Sequence, residues 1–134
     1  MPKPSPKKKT SAQLKKELWK IFSIYIRTKD AVGDENVCFT CGVRKPWKML
    51  HAGHYIRASA GLATYFLEKN VHPQCYACNI WRDGNSDEYA LALQRKYGED
   101  ILNELNREKQ KIVKDFPFQS KISHYQELLE KMKS

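Results

Sequence analysis

The chain has 134 residues, 41% of them hydrophobic and 29% charged, which suits one globular domain with a modest core. No apolar run approaches the ~20 residues needed to cross a bilayer, and the opening Met1–Lys9 segment has no apolar stretch like that of a signal peptide. The formal net charge is +9, and seven lysines against one glutamate lie in the first twenty residues. That balance points to a polyanionic partner, nucleic acid or an anionic surface, and carries no sequence specificity.

In chain order, residues 1–10 hold three prolines and four lysines and are predicted to be a disordered basic tail, either merely solvated or a DNA-contacting arm through Lys7, Lys8 and Lys9. Residues 11–134 are predicted to form a single domain, with 11–36 a helix and link, 37–84 a metal-stapled core and 85–134 further helices. Ser11 is the candidate cap of a helix reaching Lys29. Leu14, Leu18, Ile21, Phe22, Tyr25 and Ile26 recur on one face of it, with Lys15 and Lys16 off that face. Val37 to Tyr55 reads as a hairpin whose return strand is Met49 to Ile56. Arg57 to Lys69 reads as a loop. Asn70 to Gln74 reads as a strand broken at Pro73. Cys78 to Asp83 starts a short helix, Asn85 caps a second that Gly98 ends, and Glu99 to Lys114 and Lys121 to Lys133 are the last two. His72 reads as a phosphate contact or a surface residue, and His124 as a surface residue.

All four cysteines fall in two C-x-x-C knuckles, Cys38–Cys41 and Cys75–Cys78, separated by the 33 residues Gly42 to Gln74. Without a secretory signal, paired knuckles indicate metal rather than disulfides. Four soft thiolates in a tetrahedron suit Zn²⁺, in a treble-clef-like arrangement with a hairpin between the knuckles. Four ligands close the coordination shell, so this zinc is structural and performs no chemistry.

Chemistry, if present, needs other residues. His54 is the candidate general base, since imidazole titrates near neutrality. Asn79 offers a carbonyl oxygen to a hard divalent ion, at a position fixed by the last cysteine. Asn70 is placed to orient the base or its strand by a hydrogen bond. His51 precedes His54 by three residues, and a regular strand directs the two to opposite faces. Each residue also has an ordinary reading: His54 as a structural or exposed histidine, Asn79 as a helix cap.

Several spaced segments carry a resemblance: Cys38-x-x-Cys41, Ala52-Gly53-His54-Tyr55, Asn70-Val71-His72-Pro73-Gln74-Cys75, Cys78-Asn79, Gly84 to Tyr89, and Lys96-Tyr97-Gly98. Together, over roughly Leu14 to Gly98, they resemble the NinG/Rap recombination proteins of lambdoid phages. That resemblance implies a structure-selective endonuclease acting on Holliday junctions and D-loops. The core also looks like the HNH, or ββα-metal, nucleases of the endonuclease VII type. This likeness implies His54 as base, Asn70 as the orienting asparagine and Asn79 as ligand of the catalytic metal. The residue before the base is commonly Asp in that pattern, and here it is Gly53. His51, Asp83, Asp87, Glu88 or a water is left to complete the metal shell.

The sequence therefore leads to an α+β, mostly helical fold with a zinc-stapled treble-clef/HNH ββα-metal core. The expected function is a Mg²⁺- or Mn²⁺-dependent endonuclease that cuts branched double-stranded DNA in the host cytoplasm, as a homodimer joined through the helices after Gly98. Lys7, Lys8, Lys9, Lys15, Lys16, Arg44, Lys45, Lys48, Arg57 and Arg82 are the candidate phosphate contacts. The alternative is a non-catalytic zinc-stapled nucleic-acid-binding module that uses Trp47 or Trp81 as stacking platforms.

Overall fold

The computed structural model describes residues 7–133. The described residues form helices α1 (Ser11–Thr28), α2 (Leu62–Tyr65), α3 (Ser86–Tyr97), α4 (Ile101–Lys109) and α5 (Phe118–Lys133). Strands β1 (Glu35–Val37) and β2 (Arg44–Pro46) make one two-stranded antiparallel sheet, and β3 (His51–His54) and β4 (Val71–Gln74) make another. The expected mixed, mostly helical fold is present, and no helix among the described residues is long and apolar enough to cross a membrane. Residues 1–6 of the predicted tail lie outside the described residues, while Lys7, Lys8 and Lys9 are exposed.

Thr10, not Ser11, caps α1. Its hydroxyl accepts from the Gln13 N–H at 3.1 Å while the Gln13 side chain accepts from the Thr10 N–H at 2.9 Å. This reciprocal pair satisfies two donors that the first turn leaves open. The predicted stripe then buries Leu18, Phe22 and Ile26 completely, against Phe66, Val71 and the Phe118, Ile122 and Tyr125 face of α5. Each such side chain removed from water contributes ~1.5–3 kcal/mol. The helix α5 begins at Phe118 rather than Lys121 because Phe118 belongs to this cluster. Its apolar stripe is thereby used within the chain. The preceding helix stops at Lys109 instead of Lys114, which leaves Ile112 and Val113 exposed outside any helix.

The strands pair differently from expectation. The first hairpin is β1–β2, with Cys38 to Cys41 at its tip and Gly42 at a φ of 80° turning the chain back. The Met49–Ile56 stretch returns instead to β4, with His51 opposite Gln74 and His54 opposite Val71. Pro73 does not break β4. Its carbonyl accepts from the Phe39 N–H at 2.8 Å, so the backbone of this residue faces away from β3 and its missing N–H removes no bond from the β3–β4 ladder. The region 57–69, read as a loop, folds into short helical turns including α2 because Phe66 and Thr64 are buried there.

His72 is a correction. It is buried, stacked on Phe39 at 4.0 Å, and bonded to the hydroxyls of Tyr89 at 3.0 Å and Tyr97 at 2.8 Å. It therefore ties β4 to α3 and does not face solvent. Burial, reinforced by the charges of Lys96 and Lys29, depresses its pKa to about 3. The unfolded chain binds that proton near pH 6.5 and the folded chain does not, so the stabilisation is complete above about pH 6.5 and is lost as the pH falls toward 3. Denaturant unfolding of the zinc-loaded protein between pH 7 and 4.5 is expected to show falling stability. A His72→Gln variant, weaker at pH 7, is expected to show a shallower fall.

Candidate metal centre and active site

The second knuckle turns on one wide helical turn, Ala77–Trp81, closed by the Arg82 N–H on the Ala77 carbonyl at 2.9 Å. Asp83, Gly84 and Asn85 follow with φ values of 47°, 87° and 51°, folding the chain sharply before α3. Asn85 stands at the helix start, yet its side chain provides no cap. It points at the Cys78 sulfur, 3.6 Å away. The Thr40 hydroxyl lies 3.3 Å from the Cys38 sulfur and an Arg82 guanidinium nitrogen 4.0 Å from that of Cys78.

The four cysteine sulfurs all lie within 4.8 Å of one another, with Cys41 and Cys75 at 3.7 Å. Zinc–sulfur bonds of about 2.3 Å in a tetrahedron require edges of about 3.8 Å, so the donor set fits Zn²⁺. Burial pushes the Cys38 thiol up, but hydrogen bonds from Thr40 and from backbone N–H groups outweigh it and hold it at about 6. Cys41 is pushed up to about 12 by burial and by the surrounding sulfurs. Four thiolates therefore do not ionise together unless a cation sits among them.

Beside this cluster lies a cleft of about 400 Å³ lined by His54, Asn79, Arg57, Asp83, Ser86 and neighbouring residues of β3 and α3. His54 enters it from β3. Its ring stacks on Trp19 of α1 at 5.0 Å, and its Nε2 donates to the Tyr65 carbonyl at 2.9 Å. This bond assigns the tautomer and leaves Nδ1 as an acceptor without a protein partner among the described residues. Burial lowers the His54 pKa and Lys15 lowers it further, against the opposing effect of the Tyr65 carbonyl, so the ring is neutral at pH 7. Asn70 directs its side-chain hydrogen bonds to the backbone around the base and not to the imidazole. Its buried amide bonds the N–H and carbonyl of Ile56 at 2.7 and 3.0 Å and the Thr64 carbonyl at 3.0 Å, which braces the segment that presents the Tyr65 carbonyl.

Asn79 is set by the knuckle through its N–H on the Cys75 carbonyl at 2.9 Å. Its side-chain amide lies 3.0 Å from His51 Nδ1. Asn79 lines both the His54 cleft and an adjoining depression lined by His51, and Ala52, between the two histidines on β3, lines both as well. Of the acidic residues considered for a metal shell, Asp83 lines the His54 cleft, whereas Asp87 and Glu88 point to solvent on α3.

Gly53 has a structural cause. A Cβ at this position would overlap Gln74 Oε1 and stand 2.7 Å from its Cδ. Gln74 is fully buried and its Nε2 donates to Thr40 at 3.3 Å and to the Gly84 carbonyl at 2.9 Å, so it ties both knuckles to β4. Its Oε1 has no hydrogen-bond partner among the described residues and rests against the glycine, where only a Cα–H fits. A carboxylate side chain at residue 53 is incompatible with this arrangement.

Among the predicted phosphate contacts, Arg57 lines the His54 cleft, Lys48 lines the depression on the His51 side, and Lys15 sits over the Tyr65 ring at 4.4 Å. Lys9 pairs with Glu17 at 2.7 Å, and Arg44 and Lys45 lie on β2. Lys7, Lys8, Lys16 and Arg82 are not among the residues lining either depression. Trp19, Tyr65 and Arg27 are site residues that sequence reasoning missed. Trp19 falls off the core stripe of α1, and no local pattern marks any of the three.

A family model described as Bacteriophage Lambda NinG protein matches residues 3–134. The chain is 29% identical over 92 residues to protein ninG of Escherichia phage lambda, a match covering 67% of this chain and 42% of that protein. Protein ninG of Escherichia phage 933W matches at the same identity and length, over 43% of its own chain. Protein ninG of Enterobacteria phage H19B is 35% identical over 54 residues, covering 40% of this chain and 27% of that relative. The chain thus spans less than half the length of the curated relatives it matches. No solved structure matches it.

Mass spectrometry under native conditions is expected to find one zinc per chain. Cys78→Ser or a strong chelator is expected to abolish the metal and lower the thermal midpoint by more than 10 °C, since a structural zinc contributes directly to folding. Gly53→Ala is expected to cost ~1–3 kcal/mol by overpacking against Gln74. In the Gly53→Ala/Gln74→Ala double variant the loss should be smaller than the sum of the single losses, which a double-mutant cycle in denaturant measures.

Proposed function

This chain belongs to the NinG family of phage proteins, and on that premise we propose that it is a metal-dependent, structure-selective endonuclease that cuts branched DNA recombination intermediates. One observation carries the reading. A neutral histidine with one nitrogen committed to a backbone carbonyl and the other open shares a cleft with Asn79, the residue directly after the last zinc cysteine. The order β3, β4 and helical turn follows that of the ββα-metal element, and the +9 charge suits a polyanionic substrate.

In this reading His54 Nδ1 takes the proton of the attacking water, and Arg57 holds the phosphate in the same cleft. Attack on phosphorus with rupture of its bond to the 3′ oxygen leaves 5′-phosphate and 3′-hydroxyl ends. Asn79 and His51, 3.0 Å apart, would hold a divalent ion once the amide presents its oxygen. When bound, that ion neutralises charge on the phosphate and the leaving oxygen. One imidazole and one amide suit Mn²⁺ better than Mg²⁺, which favours all-oxygen shells. Symmetric resolution of a four-way junction needs two cuts and so two copies of the chain. Such an enzyme would act on phage DNA in the host cytoplasm.

A second reading, a nucleic-acid-binding module without catalysis, draws on Trp81, which is 78% exposed next to Arg82 and suits base stacking. A synthetic four-way junction separates the two. The wild type is expected to cut it faster with Mn²⁺ than with Mg²⁺, and the acid limb of the rate is expected to lie below pH 6.5, because only neutral His54 accepts the proton and its pKa is depressed. His54→Ala and Asn79→Ala should cut about 10²–10⁴-fold more slowly while still binding the junction. Binding by the wild type with no cleavage in any divalent ion favours the module.

A further inference from the structure

Asn79 and Ala52 line two adjoining depressions. One is the His54 cleft. The other is bounded by Trp19, Ser23 and Arg27 of α1 and by Lys48, Leu50 and His51. This second depression contains two cationic side chains and no acidic one. Arg27 is held between its own helix and the Trp47 turn. Its Nε donates to the Ser23 carbonyl and hydroxyl, both at 3.1 Å, and its guanidinium lies over the Trp47 ring at 5.1 Å. Among the described residues its two terminal nitrogens have no hydrogen-bond partner and neither Arg27 nor Lys48 forms an ion pair, Lys48 Nζ lying over the same Trp47 ring at 5.9 Å. A half-buried arginine stacked on an indole, with its planar fork fixed and unpaired, is preorganised for a phosphate.

We propose that Arg27 and Lys48 form a second phosphate subsite, which holds the backbone phosphate next to the one in the His54 cleft, so that the cut strand passes over Asn79 from Arg57 toward Arg27. The proposal rests on the endonuclease reading for the identity of the first phosphate. The subsite itself stands on the depression and its unpaired cations. Its ligand is the phosphodiester backbone, not the bases, so its contribution is independent of sequence. The two cations lie on separate elements, α1 and the turn Trp47–Met49, and both face the depression that Asn79 shares.

The test measures junction binding in a His54→Ala background as salt is varied, with Arg27→Gln, Lys48→Gln, the double variant, and Arg95→Gln on the exposed face of α3 as a charge-loss control. Each subsite variant is expected to lower affinity several-fold and to reduce the slope of log affinity against log salt by about one, and the double variant by about two. Single uncharged methylphosphonates are placed along the cleaved strand in parallel. One position next to the cut should weaken binding by the parent protein and leave the double variant unaffected. Lys48 is exposed and outside the core, so Lys48→Gln remains informative if Arg27→Gln is less stable. Parental affinity and slope in the double variant, or losses no greater than those of Arg95→Gln, would overturn the subsite. If the wild type cuts no branched DNA, the endonuclease reading fails, and the binding slopes still decide the subsite.

Discussion

The four-thiol cluster is the constraint on which the other features of the site depend. It joins the tip of the β1–β2 hairpin to the turn after β4, two places separated by 33 residues of sequence. Neither sheet has more than two strands, and strands this short do not hold a register alone. The cluster supplies what the sheets lack. The Phe39 N–H reaches the Pro73 carbonyl, Gln74 spans from Thr40 to Gly84, and Asn79 is fixed by the backbone that carries the last two cysteines. The cluster therefore sets the position of Asn79.

His54 is positioned by a different set of elements. Trp19 stacks on it from α1, Tyr65 takes its Nε2 proton into a hydrogen bond, and Asn70 braces the segment behind Tyr65. These groups belong to or pack against the aliphatic and aromatic core that α1 shares with α5. The cleft is thus a seam between two stabilising systems, the four-thiol cluster and the hydrophobic core. Damage to the α1–α5 packing would reach His54, while damage to the knuckles would reach Asn79. The environment of His54 follows from the same packing, since burial against Trp19 and Tyr65 is the main reason its pKa is lowered.

Much of this was legible in the sequence, for identifiable reasons. The cysteine spacing alone foretold the cluster, because metal ligation leaves a strict local signature. The α1 stripe foretold Leu18, Phe22 and Ile26, because helical periodicity does the same for burial. The strand partners were misread because β3 and β4 are only four residues each, and their pairing is set by the knuckles and not by local propensity. His72 was misread because its partners, Phe39, Tyr89 and Tyr97, come from distant positions, and a buried neutral histidine has no local mark. Arg27 and Trp19 escaped for a related reason. They sit on the flank of an amphipathic helix, where side chains normally face solvent, and only the fold shows that β3 and the Trp47 turn cover that flank.

Gly53 shows how one packing decision shapes the chemistry open to the site. Gln74 occupies the space that a side chain at 53 would need, and through Thr40 and Gly84 it helps hold the two knuckles on β4. The fold thereby gives up a carboxylate beside His54. What remains near Asn79 is the His51 imidazole, one exposed acid in Asp83, and the cations Arg57, Arg27 and Lys48. A divalent ion approaching such a place meets few negative charges and several positive ones, so the protein alone holds it weakly. A nucleic-acid phosphate reverses that balance, since it supplies oxygen ligands and negative charge at once. On the endonuclease reading, the ion and the DNA therefore bind with positive coupling, each raising the affinity for the other by the same factor.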